Sequence, residues 1–211
     1  MRHIPRSIAR SVKRLIGGAP AIATEPEIPP PDINFNPGGG DTYAEYARLF
    51  KEKACLVDVP LLIEKAGLRP SSVILDYGCG MGRLTYALGK FLSPDGVYYG
   101  YEINPVGLNF IRSAYRNRPN FHFDGQLLHL DEDYVAKLRG QRRPETIGAT
   151  EVDLTRLVSQ PLDIQWSASV FTHMWPDAIT HVLKQVRRLS ARKPVLSPSS
   201  RISRIGSRFV M

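Results

Sequence analysis

The 211-residue chain predicts an α/β fold, an open parallel sheet with helices on both faces, and three observations carry that expectation. Val73-Ile74-Leu75 is a short apolar run closed by Asp76 and followed by Gly78-Cys79-Gly80-Met81-Gly82, the form of a buried strand ending in a glycine turn. Leu84, Ala87, Leu88, Phe91 and Leu92 then recur at i, i+3, i+4, i+7 and i+8, the period of a helix with one buried face. Val97-Tyr98-Tyr99-Gly100-Tyr101 followed by Glu102 repeats the pattern of apolar run and acid. Strand, glycine turn, helix and strand make a βαβ unit, the repeating part of a Rossmann-like sheet.

Along the chain, residues 1–18 form an amphipathic helix candidate, with Ile4, Ile8, Val12 and Leu15 on one side and Arg6, Arg10, Lys13 and Arg14 on the other. Such a helix suits an anionic membrane surface, giving peripheral contact there; a frayed, solvated terminus is the competing reading. Residues 19–40, with three prolines at 29–31 and three glycines at 38–40, read as an irregular linker, so order is expected to begin near Asp41. Thr42-Tyr43-Ala44-Glu45 has capping-box spacing and opens a helix toward Lys51. Leu56 to Leu68 continues as helix and stops at Gly67 and Pro70. After Glu102, Asn104 caps a helix that starts at Pro105 and turns Leu108, Ile111 and Tyr115 inward. Phe121-His122-Phe123-Asp124 reads as the third strand. Residues 126–160 have no clear period and read as an inserted loop with some helix near 131–138. Pro176 starts a helix burying Ile179, Val182, Leu183 and Val186.

The glycine turn is also a ligand signal. A dinucleotide fingerprint wants Gly-x-Gly-x-x-Gly, but its third position falls on Arg83, and no Lys-Ser/Thr pair follows to hold a pyrophosphate. Asp76 before the turn repels a pyrophosphate and suits a ligand bearing an ammonium group. Glu102 lies about twenty residues past the glycines, where an acidic side chain takes ribose hydroxyls.

The segment Asp76-x-Gly78-x-Gly80-x-Gly82, with Glu102 behind it, resembles motif I of the class I S-adenosylmethionine-dependent methyltransferases. Cys-Gly-x-Gly-Arg at 79–83 and Ser-Val-Phe-Thr-His-Met at 169–174 resemble a bacterial subgroup of that superfamily. The resemblance implies S-adenosylmethionine as cofactor and methyl transfer as reaction, with Asp76, Gly78, Cys79, Gly80, Gly82, Glu102 and Ile103 at the cofactor. It places Asp124 where an acid meets the adenine amino group, a solvated turn aspartate being the other reading. It makes Leu162 to Met174 the fourth strand and its following loop, and brings Ser167 and Ser169 to the ligand crevice at that strand's carboxyl end. His173 at the same strand end suits a general base, although a histidine tied to a backbone carbonyl explains the sequence equally well. Tyr43, Tyr46 and Phe50 are candidates for a lid over the acceptor, or for core packing. Tyr134 and the basic cluster at 139–143 are further candidates for acceptor contacts.

Charge and cysteine content bound the function. The formal charge is +8, but five basic residues fall in the first twenty positions and eight follow Asp177, with no acid among either set. The remaining 15 basic residues face 20 acidic ones, so the central body carries about −5 and does not support a nucleic-acid groove. A small-molecule or glycan acceptor, methylated on oxygen or nitrogen, is the expectation. Cys55 and Cys79 are too few and too placed within elements for a disulfide framework, which makes a reducing cytoplasm the natural home. Cys79 reads as a small residue beside the ligand rather than a reactive thiol. The histidines are scattered and no metal-ligand spacing occurs.

The resemblance stops after Arg188. The family continues with a Gly-Gly turn, further strands, a helix and a closing hairpin, whereas this chain ends in a Ser/Arg-rich stretch. The expectation is therefore a basic, disordered tail over 197–211, a methyltransferase domain over 41–196, and strands six and seven missing from the sheet. A non-catalytic or truncated methyltransferase-like fragment, or a module using its basic ends on a membrane surface or anionic polymer, is the alternative to an active enzyme.

Overall fold

Five parallel strands carry the molecule in the order β3-β2-β1-β4-β5, in a computed structural model that describes residues 27–30, 33, 42–125, 152–171, 174, 176–190 and 208–210. The strands are β1 Val73–Tyr77, β2 Val97–Tyr101, β3 Phe121–Asp124, β4 Ile164–Trp166 and β5 Arg208–Val210. β1 sits at the centre, paired with β2 from Val73↔Val97 to Tyr77↔Tyr101 and with β4 from Ile74↔Ile164 to Asp76↔Trp166. The chain leaves β1 for β2 and β3 on one side, then returns to β4 on the other. This reversal opens a crevice at the carboxyl ends of β1 and β4, where open α/β sheets bind their ligands.

Alternation along the strands divides the core in two. Ile74, Tyr98, Phe121, Ile164 and Trp166 face one layer, packed with Leu62, Leu84, Leu88, Leu108 and Ile111. That layer contains α1 Tyr43–Glu52, a π-helix Lys53–Asp58, α2 Val59–Ala66, α3 Arg83–Phe91 and α4 Pro105–Ala114. Leu75, Tyr77, Tyr99 and Tyr101 face the other layer, built by Val182 and Val186 of α5 Pro176–Leu189 and by Val152, Leu154 and Val158. A strand buried on both faces reads as a nearly continuous apolar run, which is why β1 and β2 stood out in the sequence.

Local signals act as the sequence predicts. Thr42 Oγ1 accepts the Glu45 N–H (3.2 Å) to start α1, and Asn104 Oδ1 accepts the Val106 N–H (2.9 Å) to start α4. Three features differ from expectation. The helix after α1 widens into six residues of π-helix before α2, so Ala54, Cys55, Asp58 and Val59 are buried while Leu56 and Val57 face outward. Within the expected linker, Ile28 is buried in the first core. Within the expected inserted loop, Val152, Leu154 and Val158 belong to the second core, and a 3₁₀ turn at Leu154–Arg156 has too short a period to register in the sequence.

Arg208–Val210, inside the expected disordered tail, pairs in parallel with β4. A strand edge satisfies its backbone groups with any chain that reaches it, independent of side-chain alternation. The amphipathic segment 1–18, the helix expected near 131–138, Tyr134, the basic cluster at 139–143 and His173 lie outside the described residues. Among the described residues no helix is long and apolar enough to cross a membrane.

Candidate cofactor cleft

A cleft of about 430 Å³ opens at the carboxyl ends of β1 and β4. Its floor is the turn after β1, where Gly78 and Gly80 hold φ of +84° and +57°, a region that favours glycine. A Cβ on Gly78 would clash with Val170 Cγ2, so the loop after β4 closes directly over this glycine. A Cβ on Gly80 would meet nothing within 4 Å, because Gly80 faces the open cleft. The backbone is thus bare where a ligand can approach it.

Two acids anchor the cleft. Glu102 accepts the Gly80 N–H on Oε2 and the Asn104 N–H on Oε1, both at 2.7 Å. It therefore ties the glycine turn to the first turn of α4. Burial pushes the Glu102 carboxyl above its ordinary value, and the backbone donors at Asn104, Gly80 and Ile103 pull against that shift. Asp76 is fully buried at the end of β1 and accepts the Tyr98 hydroxyl at 2.7 Å; Thr85 Oγ1 lies 2.8 Å from the same hydroxyl. Because Tyr98 gives its single proton to Asp76, Thr85 is the donor in the second bond. Burial lifts the Asp76 carboxyl to about 7, with the Tyr98 hydrogen bond and Arg83 working in the opposite direction.

Cations stand in the same cleft. Arg83, at the start of α3, places Nε 3.0 Å from Oδ2 of buried Asp58, which joins the glycine turn to the π-helix. Lys53, also on the π-helix, lines the cleft beside Tyr46, Leu49 and Phe50 of α1. Burial pushes the Tyr46 hydroxyl up to about 12, so it remains protonated and able to donate. Burial pushes the Cys79 thiol well above its ordinary value, reinforced by Asp76 and Glu102, which keeps it out of the nucleophilic thiolate form.

Asp76, Gly78, Cys79, Gly80 and Glu102, expected at the cofactor, all line this one cleft, and Tyr46 and Phe50 wall it. Gly82 caps α3 just behind the turn rather than lining it. Four expected residues are elsewhere. Asp124 pairs with Arg112 (3.1 Å) and accepts the Gly125 N–H, so its carboxylate faces away from the cleft lining. Ile103 packs on the second core. Ser167 donates its hydroxyl to the Tyr77 carbonyl (3.1 Å), stitching β4 to β1. Ser169 is exposed at φ +60°, while its neighbour Ala168 and Trp166 of β4 supply the cleft wall. Lys53 and Arg83 were missed as a pair because thirty positions separate them and only the π-helix brings them together. Among the described residues no group of three or more His, Cys, Asp or Glu could hold a metal ion.

The cleft fits S-adenosylmethionine on these grounds: bare backbone at Gly80, a buried acid with further acceptor capacity at Glu102, and both charge signs for a zwitterion. No protein-family model matches the chain. Solved structures similar to it include Aeropyrum pernix fibrillarin with natively bound S-adenosyl-L-methionine, at 17% identity and TM-score 0.38, covering 64% of this chain and 50% of that one. A mycolic acid cyclopropane synthase complexed with SAH is 20% identical at TM-score 0.45, covering 76% and 48%. A cyclopropane-fatty-acyl-phospholipid synthase-like protein from Lactobacillus casei is 16% identical at TM-score 0.47, covering 72% and 50%. The chain thus spans about half the length of each of these three proteins. At such distances no activity transfers from them, and the functional reading rests on the cleft itself.

Proposed function

We propose that the chain binds S-adenosylmethionine in this cleft and transfers its methyl group to an oxygen or nitrogen of a small-molecule or glycan acceptor. The observation that carries the reading is the coupling of the bare Gly80 backbone to Glu102 through one hydrogen bond at the mouth of β1 and β2. Glu102 keeps lone pairs beyond the two it gives to backbone N–H groups, and those accept ribose hydroxyls. Asp76 offers negative charge to an ammonium group, and Lys53 and Arg83 offer positive charge to a carboxylate. The cofactor supplies an activated methyl group on a sulfonium, so what remains for the protein is to orient the acceptor and exclude water. Tyr46, Phe50, Trp166 and Ala168 provide the apolar wall for that exclusion. His173 is proposed as the base for acceptors that must lose a proton.

Calorimetric titration with S-adenosylhomocysteine tests the binding step. Saturable one-to-one binding in the micromolar range is expected, and no heat at millimolar ligand overturns the proposal. A labelled-methyl screen against glycan and small-molecule acceptors then separates an enzyme from a binding fragment. His173→Ala should lower kcat with little change in cofactor affinity.

A further inference from the structure

A second concave surface lies on the opposite side of the β2–β3 pair from β1, along the edge of β3 that pairs with no other strand among the described residues, and shares no residue with the cofactor cleft. It is a groove of about 550 Å³ lined by Arg112, Arg116, Arg118, Arg156, His122 and Asp124, among others. Arg112 comes from α4, Arg116 and Arg118 from the turn before β3, and Arg156 from the 3₁₀ turn nearly forty positions later. Four guanidiniums therefore meet one carboxylate, although the central body carries about −5 overall. Like charges gathered this way repel one another unless an anion sits among them.

The cluster is partly fixed and partly available. Arg112 donates from Nε and Nη2 to the Phe123 carbonyl (3.2 and 3.1 Å) and from Nη2 to Asp124 (3.1 Å). Arg118 lies over the Phe121 ring, 5.9 Å from its centroid. Arg116 and Arg156 are exposed and have no ion-paired acid among the described residues. Asp153, three residues before Arg156, is bonded by the Thr155 hydroxyl and N–H and feels the charge of Arg156 without forming an ion pair with it. Two arginines are thus held in place, and two keep their donor forks for a ligand.

We infer that the β3-edge groove binds a small ligand carrying two or more phosphate groups. The planar fork of arginine matches phosphate oxygens in pairs, and a net of three positive charges calls for a multiply charged anion. The groove has the size of a small-molecule site. An extended polyanion would leave it for a negatively charged body, which favours a compact ligand. A peptide strand added to β3 is disfavoured, because the outward carbonyl of Phe123 is already taken by Arg112. Tyr115 and Phe121 are buried beneath the arginines, and the exposed His122 ring already stacks on Tyr99 at 5.3 Å between centroids, so recognition falls on the phosphates.

The test is calorimetric titration of the full chain with inorganic triphosphate, in the wild type and in an Arg116→Ser/Arg156→Ser double variant. Both substituted residues are exposed, so the fold is retained and S-adenosylhomocysteine binding stays within twofold. Saturable one-to-one binding of triphosphate is expected in the wild type, weakened at least about tenfold in the double variant. Equal affinity in both proteins would move the site to the basic ends and overturn the inference. So would binding that appears only after Asp131→Asn/Glu132→Gln/Asp133→Asn, which would make the groove a seat for the chain's own acids. A single-stranded RNA 12-mer that loses affinity in the double variant while triphosphate does not would replace the small ligand by a polymer. Because S-adenosylhomocysteine is titrated separately, loss of cofactor binding overturns the methyltransferase proposal alone.

Discussion

Glu102 has two tasks that meet in one carboxylate. Its oxygens each receive a backbone N–H, from Gly80 and from Asn104, and the remaining lone pairs face the cleft chemistry. Glu102→Gln retains shape but turns one oxygen into an NH₂ group, which must then confront a backbone N–H donor. A buried donor left without an acceptor costs about 1–3 kcal/mol, so the melting temperature should fall and S-adenosylhomocysteine affinity should drop at least tenfold by calorimetry. Asp76 makes a pH prediction with a definite sign. Its folded value of about 7 lies above the ordinary 3.8, so the native state holds a proton that the unfolded chain releases between those values. Stability from this group is therefore present at low pH and lost as pH rises through about 7. The ligand's ammonium group favours the ionised carboxylate, so affinity for S-adenosylhomocysteine should increase from pH 6 to pH 8. Asp76→Asn should flatten both profiles; an unchanged slope in that variant would assign the titration to another group.

At the scale of the element, the turn after β1 was legible because its chemistry is local. Glycines are required there by φ and by close approach, and both requirements leave marks within five residues. The two glycines nevertheless answer to different neighbours, and substitutions should tell them apart. Gly80→Ala adds a Cβ that meets no protein atom, so the cost is the positive φ alone, about 1–2 kcal/mol. The variant should fold, with its melting temperature lowered by several degrees, and should lose cofactor binding because the methyl group projects into the cleft. Gly78→Ala drives its Cβ into Val170 and should fold poorly, while Gly78→Ala/Val170→Ala should recover part of that loss in a thermal melt. What the sequence concealed was set by distant partners. Asp124 ends β3 where Glu102 follows β2, and Arg112 on the preceding helix together with the Gly125 N–H holds its carboxylate outside the cleft lining. Ser167 and Ser169 occupy the expected strand end, yet a carbonyl of β1 takes one and a left-handed backbone turns the other away from the lining. The π-helix was hidden because Phe50, Ala54 and Val59 keep a nearly helical spacing across the extra residue. That wide turn brings Lys53 to the cleft and Asp58 to Arg83, in keeping with the frequent location of π-turns at functional sites.

Across the whole molecule, the helices that precede the sheet reach the glycine turn through the Asp58–Arg83 pair. Asp58 is buried, while the Arg83 side chain remains about one-third exposed at 32%. Breaking a fully buried pair by removing one partner costs about 3–5 kcal/mol, and exposed pairs contribute about 0–1 kcal/mol, so this pair belongs between those limits. Asp58→Ala leaves a partly exposed arginine that can turn to water, whereas Arg83→Ala leaves a buried carboxylate without its cation. Arg83→Ala should therefore be the more destabilising single change, by about 1–3 kcal/mol, read as a fall of several degrees in melting temperature. The double variant should lose less than the sum of the two, with a coupling of about 0.5–3 kcal/mol as expected for residues in contact. The same cycle read by S-adenosylhomocysteine affinity tests whether the leading helices are part of the site. If they are, each single change weakens binding beyond its effect on stability, and strictly additive affinities would make α1 and the π-helix a passive cover over a cleft that β1, β2 and β4 complete by themselves.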